Sequence, residues 1–201
     1  MTRSDIAVFL DRDGTVNVEE NFISSPDQLQ LIPRAGSAIR ELNNLGIKVF
    51  IITNQSGVAR GYFSEAMVHD VHAALRNLLK SEGAFIDDFF YCPHLPGSAD
   101  ERYNVECNCR KPKPGMLLQA QKKYSVDLSR SYVVGDRCID VATGKAAGAH
   151  TVMVATGYGA KDILNCRNQP DLFAGDVMDG VVHIKQSIES QERSFTQSHT
   201  A

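Results

Sequence analysis

The sequence predicts an α/β fold: a doubly wound parallel sheet with helices on both faces. Three observations carry this. Short apolar runs alternate with stretches whose apolar residues recur at helical spacing, the signature of strand–helix–strand units. The runs are apolar throughout, as strands covered on both faces must be. The chain's 201 residues are 43% hydrophobic and 22% charged, which suits one ordinary core.

The first strand is Ile6-Ala7-Val8-Phe9-Leu10, followed by an irregular loop over 14–34 with Ser24-Ser25-Pro26-Asp27 and Pro33. Ala35 to Leu45 carries Ala38, Ile39, Leu42 and Leu45 on one helical face, and Gly46 closes it. Lys48 to Thr53 is the second strand, ending in the turn Asn54-Gln55-Ser56-Gly57. Ser64 caps a helix running to about Ser81, whose apolar side is Ala66, Val68, Val71, Ala74, Leu75, Leu78 and Leu79. His69 and His72 sit on it at i, i+3 with no third ligand and read as partly exposed helix residues. Phe85 to Tyr91 is a third strand, and 92–114 is a loop rich in Pro, Cys and charge. Met116 to Tyr124 is helical, Ser131 to Val134 is a strand ending at Gly135-Asp136, and Ile139 to Ala147 is a short helix closed by Gly148. Thr151 to Val154 is the fifth strand and Asp176 to Ser187 the last helix. Residues 1–189 read as one domain; 190–201 are polar, with little to bury, and read as a disordered tail.

The net charge of −3 disfavours a nucleic-acid partner, which needs a basic face. No apolar run reaches the roughly 18–20 residues of a membrane span, and the N-terminus lacks a secretory apolar segment, so the expectation is a cytoplasmic protein. Of the five cysteines, Cys92, Cys107 and Cys109 crowd around His94. Their CxH and CxC pairs, set across a Pro/Gly loop, offer three thiolates and an imidazole. That set closes a tetrahedral, structural zinc site. Cys138 and Cys166 read as ordinary thiols.

Asp11-Arg12-Asp13-Gly14-Thr15-Val16 directly follows the first strand. In extended chain residues i and i+2 project to one side, so both acids face one pocket, and two like charges so close call for a hard cation such as Mg²⁺. Thr53, Asn54 and Asp136 also close strands, and strand ends of a doubly wound sheet converge on one crevice. Taken singly, each is an ordinary turn residue or cap; their joint occurrence points to a site. Arg110-Lys111-Pro112-Lys113-Pro114-Gly115, just before a helix, adds the cations that a dianionic phosphate requires.

Strand–DxDGT, strand–Thr-Asn, Lys before a helix, and Gly135-Asp136-Arg137-Cys138-Ile139-Asp140 (GDxxxD) together resemble the four motifs of the haloacid dehalogenase superfamily of phosphatases, from about residue 5 to 160. The resemblance implies a Rossmann-like sheet without a large cap domain. It makes Asp11 the nucleophile, Asp13 the acid/base, and Thr53 and Lys111 the holders of phosphoryl oxygens. Mg²⁺ would be bound by Asp11, the backbone carbonyl of Asp13, and Asp136. Asp140 would orient Lys111. Arg110 would bind substrate, as would Arg137, which stands where the family usually has lysine. Glu19, Glu20, Asn21 and Phe22 with Asn54, Gln55 and Ser56 would meet sugar hydroxyls, and the short loops 17–24, 55–61 and the zinc loop would set specificity. The implied partner is a small sugar phosphate acted on by a monomer. Histidinol-phosphate and polynucleotide phosphatases are rivals within the superfamily. A phospho-accepting receiver domain is the rival outside catalysis, but receivers carry the phosphorylated Asp on a later strand. A zinc-stabilised interaction module would not need the DxD, Thr53 and Asp136 set.

Overall fold

The computed structural model describes residues 3–198, with side chains described to 193. Six strands form one parallel sheet: β1 (Ala7–Leu10), β2 (Lys48–Asn54), β3 (Asp88–Cys92), β4 (Tyr132–Gly135), β5 (His150–Val154) and β6 (Leu172–Ala174), in the order β3-β2-β1-β4-β5-β6. Six helices cross it: α1 (Ala35–Asn44), α2 (Glu65–Ser81), α3 (Gly115–Tyr124), α4 (Cys138–Ala147), α5 (Gly159–Asp162) and α6 (Val177–Ser198).

Alternation along β1 divides the core. Val8 and Leu10 pack with Val49, Ile51 and Val134 against α1, α2 and α6, through residues such as Ile39, Leu42, Leu75, Leu79, Val181 and Ile184. Ala7 and Phe9 pack with Phe50, Ile52 and Val133 against Met116, Leu117 and Ala120 of α3. On this second face Gly144 lets α4 lie on the sheet, since a Cβ there would stand 2.5 Å from Thr151 Cγ2. Both faces of β1 are buried, so its four residues must all be apolar or small. Register sets the end of β1 beside its neighbours: Leu10 pairs with both Ile51 and Val134, Asp11 N–H donates to Val134 O at 2.9 Å, and β2 runs on to Asn54. Among the described residues no inserted domain covers that edge, and no helix is long and apolar enough to cross a membrane.

Several expectations are corrected. The third strand is Asp88–Cys92, not Phe85 to Tyr91; Phe85 is exposed, and Cys92 pairs with Asn54 inside the sheet. β6 has only three residues, too few to show a pattern. On α2, Ala66 and Leu78 are exposed, whereas His72 is buried and stacked on Phe89 at 4.5 Å. Residues 190–198, read as tail, continue α6; residues 199–201 lie outside the described residues. Cys138 and Cys166 are joined in a disulfide, because the chain after β5 returns beside the start of α4, a proximity that 28 residues of separation hide.

Candidate active site

The chain turns sharply after β1, and Asp11 and Asp13 are placed by that turn. Gly14 has φ +82° and lies so close to Asp136 that a Cβ would fall 2.3 Å from its Oδ2, so only glycine fits there. Asp11 and Asp136 are both buried. Lys111, also buried, ion-pairs with Asp11 Oδ1 at 2.8 Å and Asp140 Oδ1 at 2.6 Å, and donates to Ile52 O at 3.1 Å. Its backbone is tied to β2 by a reciprocal pair with Asn54: Lys111 N–H donates to Oδ1 at 3.0 Å, and Asn54 Nδ2 donates to Lys111 O at 3.1 Å.

Burial raises the Asp11 carboxyl well above its usual range despite Lys111. It also lifts Asp136 to about 7, although Asp136 Oδ2 accepts from Tyr158 N–H at 2.8 Å. Burial opposes the charge on Lys111, but Asp11 and Asp140 hold its pKa above the ordinary lysine value.

Carboxylate oxygens of Asp11, Asp136 and Asp140 lie within 4.8 Å of one another, and Asp136 Oδ1 is buried with no hydrogen-bond partner. One lysine among three carboxylates leaves the cluster short of positive charge. An oxygen set with an unsatisfied buried acceptor suits a hard divalent cation. The Asp13 side chain stands apart from this cluster, held by Arg12, Asn17 and Gln55.

These groups open onto a cavity of about 280 Å³. Asp11, Asp13, Thr53, Asn54, Ser56 and Lys111 line its floor, and Glu19, Asn21, Phe22, Arg110, Arg137 and Tyr158 line its rim. Arg110 is steadied by donating to His94 O at 3.1 Å. Arg137 pairs with Asp162 at 3.0 Å and lies 4.4 Å over the Tyr158 ring. Burial, then the Asp13 charge, raise the Glu19 pKa.

Two expected substrate contacts do not reach the cavity. Glu20 is exposed, because the 19–22 turn, with Asn21 at φ +60°, brings Glu19, Asn21 and Phe22 to the rim and leaves Glu20 in solvent. The Gln55 side chain is buried and spends its amide on Asp13 and Thr53.

Beside this cavity, Cys92, His94, Cys107 and Cys109 converge as expected. Sγ atoms of Cys92 and Cys107 are 3.5 Å apart, those of Cys107 and Cys109 3.3 Å, and His94 Nδ1 is 3.6 Å from Cys92 Sγ and 3.5 Å from Cys109 Sγ. Four soft donors at these separations can surround one tetrahedral ion. Tyr103 docks the loop onto α2 by donating to Glu65 Oε1 at 2.9 Å, while Tyr91 of β3 donates to Oε2 at 2.6 Å.

A HAD-hydrolase-like family model matches residues 108–180. A D-glycero-beta-D-manno-heptose-1,7-bisphosphate 7-phosphatase of Rhodopseudomonas palustris is 47% identical over 71% of this chain and 79% of its own. The enzyme of the same name from Escherichia coli K12 is 36% identical over 96% of this chain and 98% of its own. The chain belongs to the heptose-1,7-bisphosphate 7-phosphatase family. The crystal structure of D,D-heptose 1,7-bisphosphate phosphatase from B. bronchiseptica, complexed with magnesium and phosphate, superposes with a TM-score of 0.80 at 33% identity. It covers 90% of this chain and 99% of that one.

The protein is thus a phosphatase of the haloacid dehalogenase superfamily, on a six-stranded parallel sheet. Two site residues of this heptose-bisphosphate phosphatase family member escape the motif reading. Arg12 occupies the position that a DxD pattern leaves open, yet an arginine set between two acids at the end of a buried strand is itself a signal. Tyr158 follows Gly157 after β5, and a glycine-rich turn at a strand's C-terminal end marks a crevice wall.

Proposed function

We propose that this phosphatase hydrolyses the 7-phosphate of D-glycero-D-manno-heptose 1,7-bisphosphate, leaving the 1-phosphate for ADP-heptose and lipopolysaccharide core synthesis. The observation that carries the reading is Asp11 on the cavity floor, paired at 2.8 Å with a buried lysine, in a chain of this family. Asp11 attacks phosphorus to form an aspartyl-phosphate while Asp13 protonates the departing C7 alkoxide. Asp13 then takes a proton from the water that attacks the intermediate, releasing phosphate and restoring Asp11. Thr53 and Lys111 hold the phosphoryl oxygens through both steps. Asp11, the carbonyl of Asp13, and Asp136 would hold Mg²⁺, which when bound neutralises charge gathering on the phosphoryl group. Cys92, His94, Cys107 and Cys109 would hold a structural Zn²⁺.

Arg110 and Arg137 on the rim give the second phosphate its own cationic anchor, and Glu19, Asn21, Phe22, Asn54 and Ser56 surround the sugar. A primary phosphate on a carbon arm reaches the buried Asp11 more readily than one attached to the ring. We read the enzyme as a cytoplasmic monomer with one catalytic domain over residues 1–189, acting on a small molecule and on neither nucleic acid nor membrane. Phosphorus NMR of the product tests the assignment: loss of the 7-phosphate resonance supports it, and release of the anomeric phosphate, or faster turnover of histidinol phosphate, rejects it. Arg110→Ala should lower kcat/KM for the bisphosphate by about 10-fold or more and spare a small monophosphate, which has no second phosphate to anchor.

A further inference from the structure

We infer that Arg12 and Gln55 are positioning residues that fix the acid/base carboxylate of Asp13 in one orientation at the cavity wall. The inference rests on the phosphatase reading above and assigns a task to two side chains that meet neither substrate nor the carboxylate cluster.

Arg12 is 1% exposed and is among the largest fully buried side chains of the chain. A guanidinium is stable in such a place only when its donors and its charge are met. Its fork closes on Asp13: Nε donates to Oδ1 at 3.0 Å and an Nη to Oδ2 at 2.9 Å. A two-point contact fixes the plane of a carboxylate as well as its place, which a single lysine bond does not. Two amides complete the ring. Asn17 Nδ2 donates to Oδ1 at 2.9 Å, and Gln55 Nε2 donates to Oδ2 at 3.1 Å. The same Gln55 nitrogen lies 2.8 Å from Thr53 Oγ1, so one amide spans the acid/base group and the hydroxyl that faces the phosphoryl group. Each Asp13 oxygen therefore has two donors, and the carboxylate cannot turn without breaking several bonds together; one of the two amide bonds opens when the carboxyl carries its proton, while the Arg12 fork keeps its plane. Its side chain is still 20% exposed and lines the cavity. A misplacement of about 1 Å at a reacting group can cost about 100-fold in rate, so a clamp of this kind acts on proton transfer and not on binding.

The test uses the magnesium-loaded enzyme and two esters: heptose 1,7-bisphosphate, whose alkoxide leaving group needs a proton, and p-nitrophenyl phosphate, whose phenolate does not. Arg12→Lys keeps the charge and loses the fork; Gln55→Leu keeps Arg12 and loses the amide bridge. First-turnover rates are measured for both variants beside Asp13→Asn, with melting curves to show that each is folded. The expected result is a fall of about 30-fold or more on the alkyl ester, with KM within about 3-fold, against a fall below about 3-fold in the first release of p-nitrophenol. Asp13→Asn should show the same asymmetry. Equal losses on both esters, or no loss on the alkyl ester, overturn the inference. Should Arg12→Lys not fold, Gln55→Leu decides alone. Full activity of Asp11→Asn overturns the aspartyl-phosphate mechanism and this inference with it, whereas uniform losses in an otherwise normal enzyme overturn the inference alone.

Discussion

Lys111 is nearly closed to solvent, and carboxylates at 2.8 and 2.6 Å are what keep it charged there. The opposite balance holds at His72. Its Nε2 has no partner, and burial, helped by the Arg12 charge, lowers its pKa to about 3. The unfolded chain protonates this imidazole near pH 6.5 and the folded chain refuses the proton, so between those values the unfolded state binds more protons. Stability therefore rises with pH across that window and falls as pH drops through it, by about 2 kcal/mol at pH 5. His72→Phe should remove that part of the acid sensitivity, which urea unfolding near pH 7.5 and near pH 5 in both proteins measures. Asp11, Thr53 and Asp136 were legible in the sequence because each stands where an apolar run closes, and Asp13 because it repeats the acid two residues on. Gln55 was not, because a polar turn residue looks the same whether it faces a ligand or turns inward to bond Asp13. His72 was misread for a related reason: helical spacing assigns a face, but an imidazole is polar enough to pass for a surface residue.

At the scale of elements, β3 does more than pair with β2. It ends on Cys92, so one donor of the proposed zinc site is held by the sheet while the other three arrive on the loop. No residue between 94 and 110 is buried, so that loop draws almost nothing from the apolar core. Protein prepared without chelator should contain one zinc per chain by elemental analysis. Cys107→Ala should lose it, with a lower melting temperature and about 10-fold or more lower kcat/KM, because the loop carries Arg110 and leads into Lys111. A zinc-free wild type that keeps the same melting temperature would contradict this. Cysteine and histidine spacing made this cluster readable in the chain, whereas β3's start and the whole of β6 were not readable. Strand ends are set by pairing partners, and Asp88 enters the sheet only because Phe50 stands opposite.

For the whole molecule, strand order decides where chemistry is possible. β1 lies between β2 and β4, where the winding reverses, and the crevice beyond that reversal receives Asp11 and Thr53 from neighbouring strands, with Asp136 of the third buried beside Asp11. Alternating strands and helices in the sequence imply parallel strands with helices on both faces, because each crossover must cover the sheet. They do not specify which strands become neighbours, nor that Cys166 returns to Cys138. That disulfide ties α4 to the segment after β5, the same segment whose Tyr158 N–H holds Asp136. With a sequence separation of 28 between its ends, it should contribute about 3–4 kcal/mol by restricting the unfolded chain. Denaturant unfolding of Cys166→Ser against the oxidised wild type measures this, and an unchanged midpoint would argue against the link.

A loop shaped by four side chains instead of by a core is also free to diverge. Exchanges, insertions and deletions among residues 95–106 leave the packing of the sheet untouched, provided the four donors still meet. Descendants of this fold can therefore reshape the support behind Arg110, which lines the cavity, while inheriting Asp11, Asp13, Thr53, Lys111 and Asp136 unchanged. Selectivity and chemistry become separately heritable traits, and new substrates can be reached without passing through an ancestor that has lost the reaction.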